Sequence, residues 1–148
     1  MANRLAAALA GLLFAAPAHA ACTIVIDASG VMVPSPSITS LNSTGAGGGS
    51  ARATVTTNSA LCSILGLRNC YRISVVAPAG FQSAPAGGGT GVTFTSSYQI
   101  GGGALLLGLI PTTLLNGTYT VTADLTASRA SGVFPAGDYE AVSTLRCE

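Results

Sequence analysis

The stretch Thr118-Tyr119-Thr120-Val121-Thr122-Ala123-Asp124-Leu125-Thr126 decides the fold class. Tyr119, Val121, Ala123 and Leu125 occupy every second position, so an extended chain places them on one face and the threonines and Asp124 on the other. A helical period of 3.6 would scatter the same residues around a cylinder. The pattern recurs outward from this stretch. In residues 51–57, Ala51, Ala53 and Val55 alternate with Arg52, Thr54 and Thr56. Residues 70–76 alternate before Pro78, and residues 92–98 turn Val92, Phe94 and Ser96 inward. Residues 22–28 read as the first strand, residues 35–41 as a short second piece behind Pro34 and Pro36, and residues 139–147 as the last. The expectation is an all-β domain.

Glycine-rich breaks at residues 45–50, 86–91 and 101–103 separate these runs. They read as loops, because a phosphate-cradling glycine loop needs a lysine or a helix opening behind it. Asn116-Gly117 is a tight-turn dipeptide ahead of a strand. It and Asn42-Ser43-Thr44 also match the glycosylation acceptor pattern, but both are read as turns. The apolar run 105–110, with Leu114 and Leu115 behind it, is too short to span a membrane. It reads as a buried strand, with an exposed edge awaiting a partner strand as the alternative.

The chain has 148 residues. Arg4, an apolar stretch over residues 5–16, and Pro17-Ala18-His19-Ala20 form an export signal, so residues 1–20 are expected to be removed after Ala20. Gly11 and Pro17 break the stretch below the roughly 20 apolar residues of a membrane span. A competing route would lipidate Cys22 behind Ala20-Ala21, although His19 stands where that signal usually has Leu. It would leave Cys62, Cys70 and Cys147 as an odd number. Residues 21–148 then form one domain, with no transmembrane segment after cleavage, in the periplasm, at the cell surface or secreted.

In that mature span Arg52, Arg68, Arg72, Arg129 and Arg146 balance Asp27, Asp124, Asp138, Glu140 and Glu148, and lysine and tryptophan are absent. No basic patch exists for nucleic acid. A poorly charged surface favours association.

Catalytic chemistry finds little to work with. The only histidine, His19, leaves with the signal, so no Ser-His or Cys-His pair forms. The four cysteines lack a C-x-x-C spacing, and disulfides are favoured over a metal site. Asp138 and Glu140, at i and i+2 of the last run beside Gly137, read as solvated turn residues. The chain is expected to be no enzyme and to need no metal or cofactor.

Three segments carry a resemblance: Ala21-Cys22-Thr23-Ile24-Val25, then Ala53-Thr54-Val55-Thr56-Thr57 leading to Cys62, then Phe134-Pro135-Ala136-Gly137-Asp138-Tyr139-Glu140-Ala141-Val142. Together they resemble chaperone-usher fimbrial subunits and spore-coat-U-type domains. The resemblance implies an immunoglobulin-like, pilin-type β-sandwich lacking its final strand. A Gly-x-aromatic-x-Ala signature, here Gly137, Tyr139 and Ala141, would open the last strand. It also implies Cys22 bonded to Cys62. An immunoglobulin-like strand order would then make Cys70 and Cys147 neighbours. The residues alone leave two other connectivities open, among them Cys62 with Cys70, which would clip a single loop.

The function so implied is a structural subunit or tip component of a surface fibre, assembled by strand addition. Its partners would be a periplasmic chaperone, an usher and other fimbrial subunits. Two departures stand out. Cys147 replaces the aromatic that pilins carry near their C-terminus, and Cys22 follows the cleavage site too closely to leave a donor segment. A strand-accepting tip or terminating position is the expectation. The alternatives are a self-contained secreted or envelope β-sandwich that binds or forms matrix without polymerising, in which residues 105–115 complete the core, and a secreted inhibitor.

Overall fold

The computed structural model describes residues 21–60, 62 and 70–148. The expected signal segment and Arg68 lie outside these residues. Among the described residues ten strands follow one another: β1 (Ala21–Ala28), β2 (Val33–Pro34), β3 (Ser40–Asn42), β4 (Ala51–Asn58), β5 (Tyr71–Val76), β6 (Val92–Ile100), β7 (Leu106–Leu107), β8 (Thr112–Leu114), β9 (Gly117–Arg129) and β10 (Thr144–Cys147). The protein is all-β with two disulfides, as the alternation and cysteine count lead one to expect.

The long strand β9, which contains the stretch quoted above, is the spine of a seven-stranded antiparallel sheet. One of its edges pairs first with β4, from Gly117 to Ala123, and then with β3, from Thr126 to Ser128. Its other edge pairs with β6 from Val121 to Arg129. β1 lies outside β4, β2 outside β3, and β7 outside β6. A second, three-stranded sheet has the order β10-β5-β8, also antiparallel.

The inward faces are the ones period two predicts. Val55, Tyr98 and Val121 of the large sheet meet Tyr71, Ile73, Val75 and Leu114 of the small one in the main core. The Tyr98 hydroxyl donates to the Ile110 carbonyl at 2.7 Å and lies 3.0 Å from the Thr112 hydroxyl, so its buried oxygen is satisfied. Leu41, Ala127 and Phe134 form a second cluster farther along β9, with Phe81, Phe94 and Tyr139 around it.

The expectations for residues 35–41, for the start of the last strand and for the disulfides need correction. Residues 35–41 do not form one strand. Pro34 and Pro36 bring no N–H to a ladder, the Ser35 amide donates to the Ser40 carbonyl, and Ile38 takes a positive φ of 57°, so the segment turns and only Ser40–Asn42 pairs. The last strand starts at Thr144 instead of Tyr139. Tyr139 is drawn sideways onto Phe81 and Phe134, and the chain beside it makes only a single bridge, Ser83 to Glu140.

The third correction concerns the disulfides, which are Cys22–Cys147 and Cys62–Cys70, not Cys22–Cys62 and Cys70–Cys147. Register explains the difference. Cys147 pairs across from Ile73 of β5, three residues past Cys70, which precedes the strand, so the register does not bring those two cysteines together. Cys147 and Cys22 instead face each other across the space between the sheets. Cys62 and Cys70 close the connection from β4 to β5.

Candidate functional site

On β1, Thr23 and Val25 face solvent and Cys22, Ile24 and Ile26 face the space between the sheets. Cys22 and Ile24 pack on the main core. Ile26, on the same face and paired to Ala53, is 66% exposed. An inward side chain is that open only where nothing covers it.

The missing cover is visible from the neighbouring strands. β1 is the outermost strand of the large sheet on one side, and β10 is the outermost strand of the small sheet. Among the described residues neither has a strand on its outer edge, so both carry a row of unpaired backbone groups. Between them lies a hollow of about 90 Å³ lined by Ile26, Ala51, Ala53, Val75, Val121, Ala123, Ser143 and Leu145, with Arg52 at its rim. Alanine makes the hollow. Ala51 sits directly across from Ala123, and Ala53 from Val121, so the floor lacks the methyl groups that would fill it.

Two features hold the mouth in shape. The Cys22–Cys147 disulfide, with Cα atoms 6.3 Å apart, ties the start of β1 to the end of β10 at one end of the hollow. At the other end β1 bulges between Ile26 and Ala28, and the Asp27 carboxylate accepts the Thr54 hydroxyl at 2.9 Å. Two disulfides are what an oxidising extracellular or periplasmic compartment allows. Among the described residues no helix is long and apolar enough to cross a membrane.

The signature residues Gly137, Tyr139 and Ala141 lie elsewhere, in the approach to β10. The Tyr139 ring stands 5.0 Å from Phe81 and 5.4 Å from Phe134, and its hydroxyl donates to the Pro135 carbonyl at 2.7 Å. Gly137 has φ of 142° and lies against Pro85, where an added Cβ would meet the proline ring at 3.0 Å. Ala141 is half-buried. The Arg129 guanidinium lies over the Phe134 ring, 5.6 Å from its centroid. These residues seal one end of the sandwich and do not line the hollow.

Asp138 and Glu140 are exposed, and no cluster of His, Cys, Asp and Glu suited to a metal ion occurs among the described residues. Asn116 does more than turn the chain: its side-chain amide accepts from the Ser59 N–H at 3.0 Å and donates to the Ser59 carbonyl at 2.9 Å. It thereby fixes the corner where the chain leaves β8 for β9.

The apolar run 105–110 is not the buried strand expected. Leu106 packs on the core, but Leu105, Leu107, Leu109 and Ile110 are all more than half exposed, with Leu107 at 65% and Leu109 at 76%. The cause is a change of sheet within a few residues. β7 pairs with β6 through Leu106 and Leu107, and then the Gly108 carbonyl already accepts from Val75 of the small sheet. Gly108 has no room for a side chain, since a Cβ there would collide with Ser96 and the Val75 carbonyl.

Sequence reasoning missed Ile26, Ala51, Ala53, Ala123, Ser143 and Leu145 as a group. The available signal was the use of alanine at three inward positions of long strands, where larger side chains usually fill a sandwich. No protein-family model, curated protein or solved structure matches the chain.

Proposed function

We propose that the protein is an exported structural subunit of a surface fibre, completed by an extended apolar segment from a partner that inserts between β1 and β10. The observation that carries this reading is Ile26, which faces the interior yet stands 66% exposed above an alanine-floored hollow. An added strand would pair its backbone with the free edges of β1 and β10, and its alternate side chains would descend onto Ala51, Ala53 and Ala123. Backbone pairing supplies affinity in such additions, and the pockets for alternate side chains supply selectivity. The partners on this reading are a periplasmic chaperone, an usher and other subunits, and the role is structural, not catalytic.

The test uses the exported, oxidised protein and a synthetic peptide of alternating apolar and polar residues. Saturating peptide is expected to raise the unfolding temperature by about 3 °C or more, because a ligand of the folded state alone stabilises it. A peptide of the same composition with its apolar residues moved out of alternation should not. Equal effects of the two peptides, or none, would sink the proposal.

A self-contained envelope or matrix module is the rival reading, favoured by Cys22–Cys147, which already holds β1 against β10 without a partner. It gains support if the isolated monomer unfolds cooperatively and reversibly and ignores both peptides.

A further inference from the structure

Residues 73–123 contain no Asp, Glu, Lys, Arg or His, and from Gly101 to Pro111 no side chain carries a polar atom at all. This stretch lies at the β7 edge of the large sheet, across β9 and β6 from the hollow. Leu105, Leu107, Leu109 and Ile110 are all more than half exposed. The Ile110 N–H donates to the Leu107 carbonyl at 3.0 Å, and the turn so closed gathers Leu107, Leu109 and Ile110 into one projecting tip.

The tip is pinned from beneath. The Gly108 N–H donates to the Ser96 carbonyl at 2.8 Å, the Gly108 carbonyl accepts from the Val75 N–H at 2.9 Å, and the Ile110 carbonyl accepts from the Tyr98 hydroxyl at 2.7 Å. Pro111 has no N–H to satisfy. Ser96 and Val75 fill the space under Gly108, so the leucines have no interior to fold into. Their exposure is imposed by the fold. Clustered exposed apolar side chains mark a contact with protein or membrane.

We infer that this tip is a contact for the surface of a lipid bilayer, into which Leu107, Leu109 and Ile110 dip as far as the boundary between headgroups and acyl chains. The inference goes beyond the strand-acceptor reading and uses the opposite edge of the sheet. What the tip lacks selects lipid over a protein partner. β7 pairs only two residues before the chain turns and crosses to the small sheet, so it offers no run of free backbone for strand addition. A protein interface carries a polar rim and about one hydrogen bond per 100–200 Å², and no side chain from Gly101 to Pro111 can make one. A bilayer makes the reverse demand, that side chains be apolar and backbone groups be satisfied within the protein. Gly108, Ile110 and Pro111 meet it.

The absence of cations decides which lipid. Basic residues draw a protein to anionic headgroups, and the tip has none. On the outer face Leu107 pairs with Ser97 and Ser97 with Asp124, so the nearest charge in that row is a carboxylate two strand spacings, about 10 Å, away. The surface that fits is zwitterionic, and its capture does not depend on salt. A few aliphatic side chains on one short turn give a reversible contact, of the order of a single acyl chain's, about 10⁴ M⁻¹.

Co-sedimentation of the exported, oxidised protein with phosphatidylcholine vesicles tests this. Half of the protein is expected to pellet at about 0.1 mM lipid, with less than about twofold change from about 0.1 M to about 1 M salt. Leu107→Ser and Leu109→Ser are each expected to weaken capture about five- to tenfold, and Ile26→Ser, at the hollow, to leave it unchanged. All three side chains are more than half exposed, so the variants should fold, which circular dichroism checks. The chain has no tryptophan. Leu109→Trp therefore supplies a sole reporter, whose emission is expected to shift to the blue on adding vesicles and to be quenched by lipid brominated on its acyl chains.

Protein left in the supernatant at about 10 mM lipid, capture unchanged in both leucine-to-serine variants, or reporter emission that does not shift would each overturn the inference. So would capture confined to vesicles containing anionic lipid, which assigns the attraction to arginines elsewhere. A protein that ignores vesicles but forms oligomers dispersed by Leu109→Ser has a second copy on its tip, and the lipid reading falls. Because Ile26 and Leu109 lie on opposite edges of the sheet, the peptide test of the hollow and the vesicle test of the tip succeed or fail separately.

Discussion

Two stretches of β9, a few residues apart, behave in opposite ways. At Ala127 and Arg129 the strand runs beneath Phe134, Phe81, Phe94 and Tyr139, whose rings meet edge to face and close the end of the sandwich without a covalent link. At Val121 and Ala123 it runs beneath a hollow, the outer edges of β1 and β10 have no partner strand among the described residues, and a disulfide ties the two strands together. Large rings fill an end that loops alone would leave ragged, since each buries a large area and locks its neighbours. Alanines leave an edge empty while the backbone stays regular. The sheet is thus sealed where its side chains are large and open where they are small.

The largest expected effect breaks the staple at the open edge. Replacing Cys22 and Cys147 with alanine frees a loop with a sequence separation of 125, which in the chain-entropy picture costs about 5 kcal/mol. Replacing Cys62 and Cys70, with a separation of 8, should cost about half of that. Urea unfolding of the two double variants gives the ranking, and a reversed order would mean that the open edge does not depend on its disulfide.

Next is the sealed end. Phe134 is 4% exposed, and Phe134→Ala is expected to cost about 3–5 kcal/mol while leaving peptide binding at the hollow unchanged. Altered peptide affinity would show that the two stretches are coupled. A smaller loss follows from Gly137→Ala, which forces a side chain into an unfavourable φ against Pro85; about 1–3 kcal/mol is expected.

The smallest effect has the opposite sign. Ala123→Val adds methyl groups to empty space and is expected to stabilise by about 0.5–2 kcal/mol, where truncation at Phe134 destabilises. Loss of stability on this substitution would show that the hollow has no room and that Ile26 is exposed for another reason.

Much of the architecture was legible because alternation is a local property. Residues 51–57, 70–76, 92–98 and 118–126 each disclose which face turns inward without any knowledge of their neighbours. The cysteine pairing was not legible in the same way. It depends on Cys147 meeting Ile73 and not Cys70, a register between segments more than seventy residues apart. The leucine run misled for a related reason. Its apolar content argues for burial, but a crossing from one sheet to the other at Gly108 turns most of it outward. The candidate groove was hidden because a vacancy is made by what alanines lack, and Ile26 reads like any core isoleucine until the strand that would cover it is found absent among the described residues.

The Cys22–Cys147 bond has a mechanical consequence as well. Nearly the whole described chain hangs between its two sulfur atoms, like a bead whose thread is knotted at the opening. Tension applied to the polypeptide outside the two cysteines passes from one sulfur to the other and bypasses the strands. Under load such a bead would neither lengthen nor unravel, and a reducing agent would restore its ability to do both.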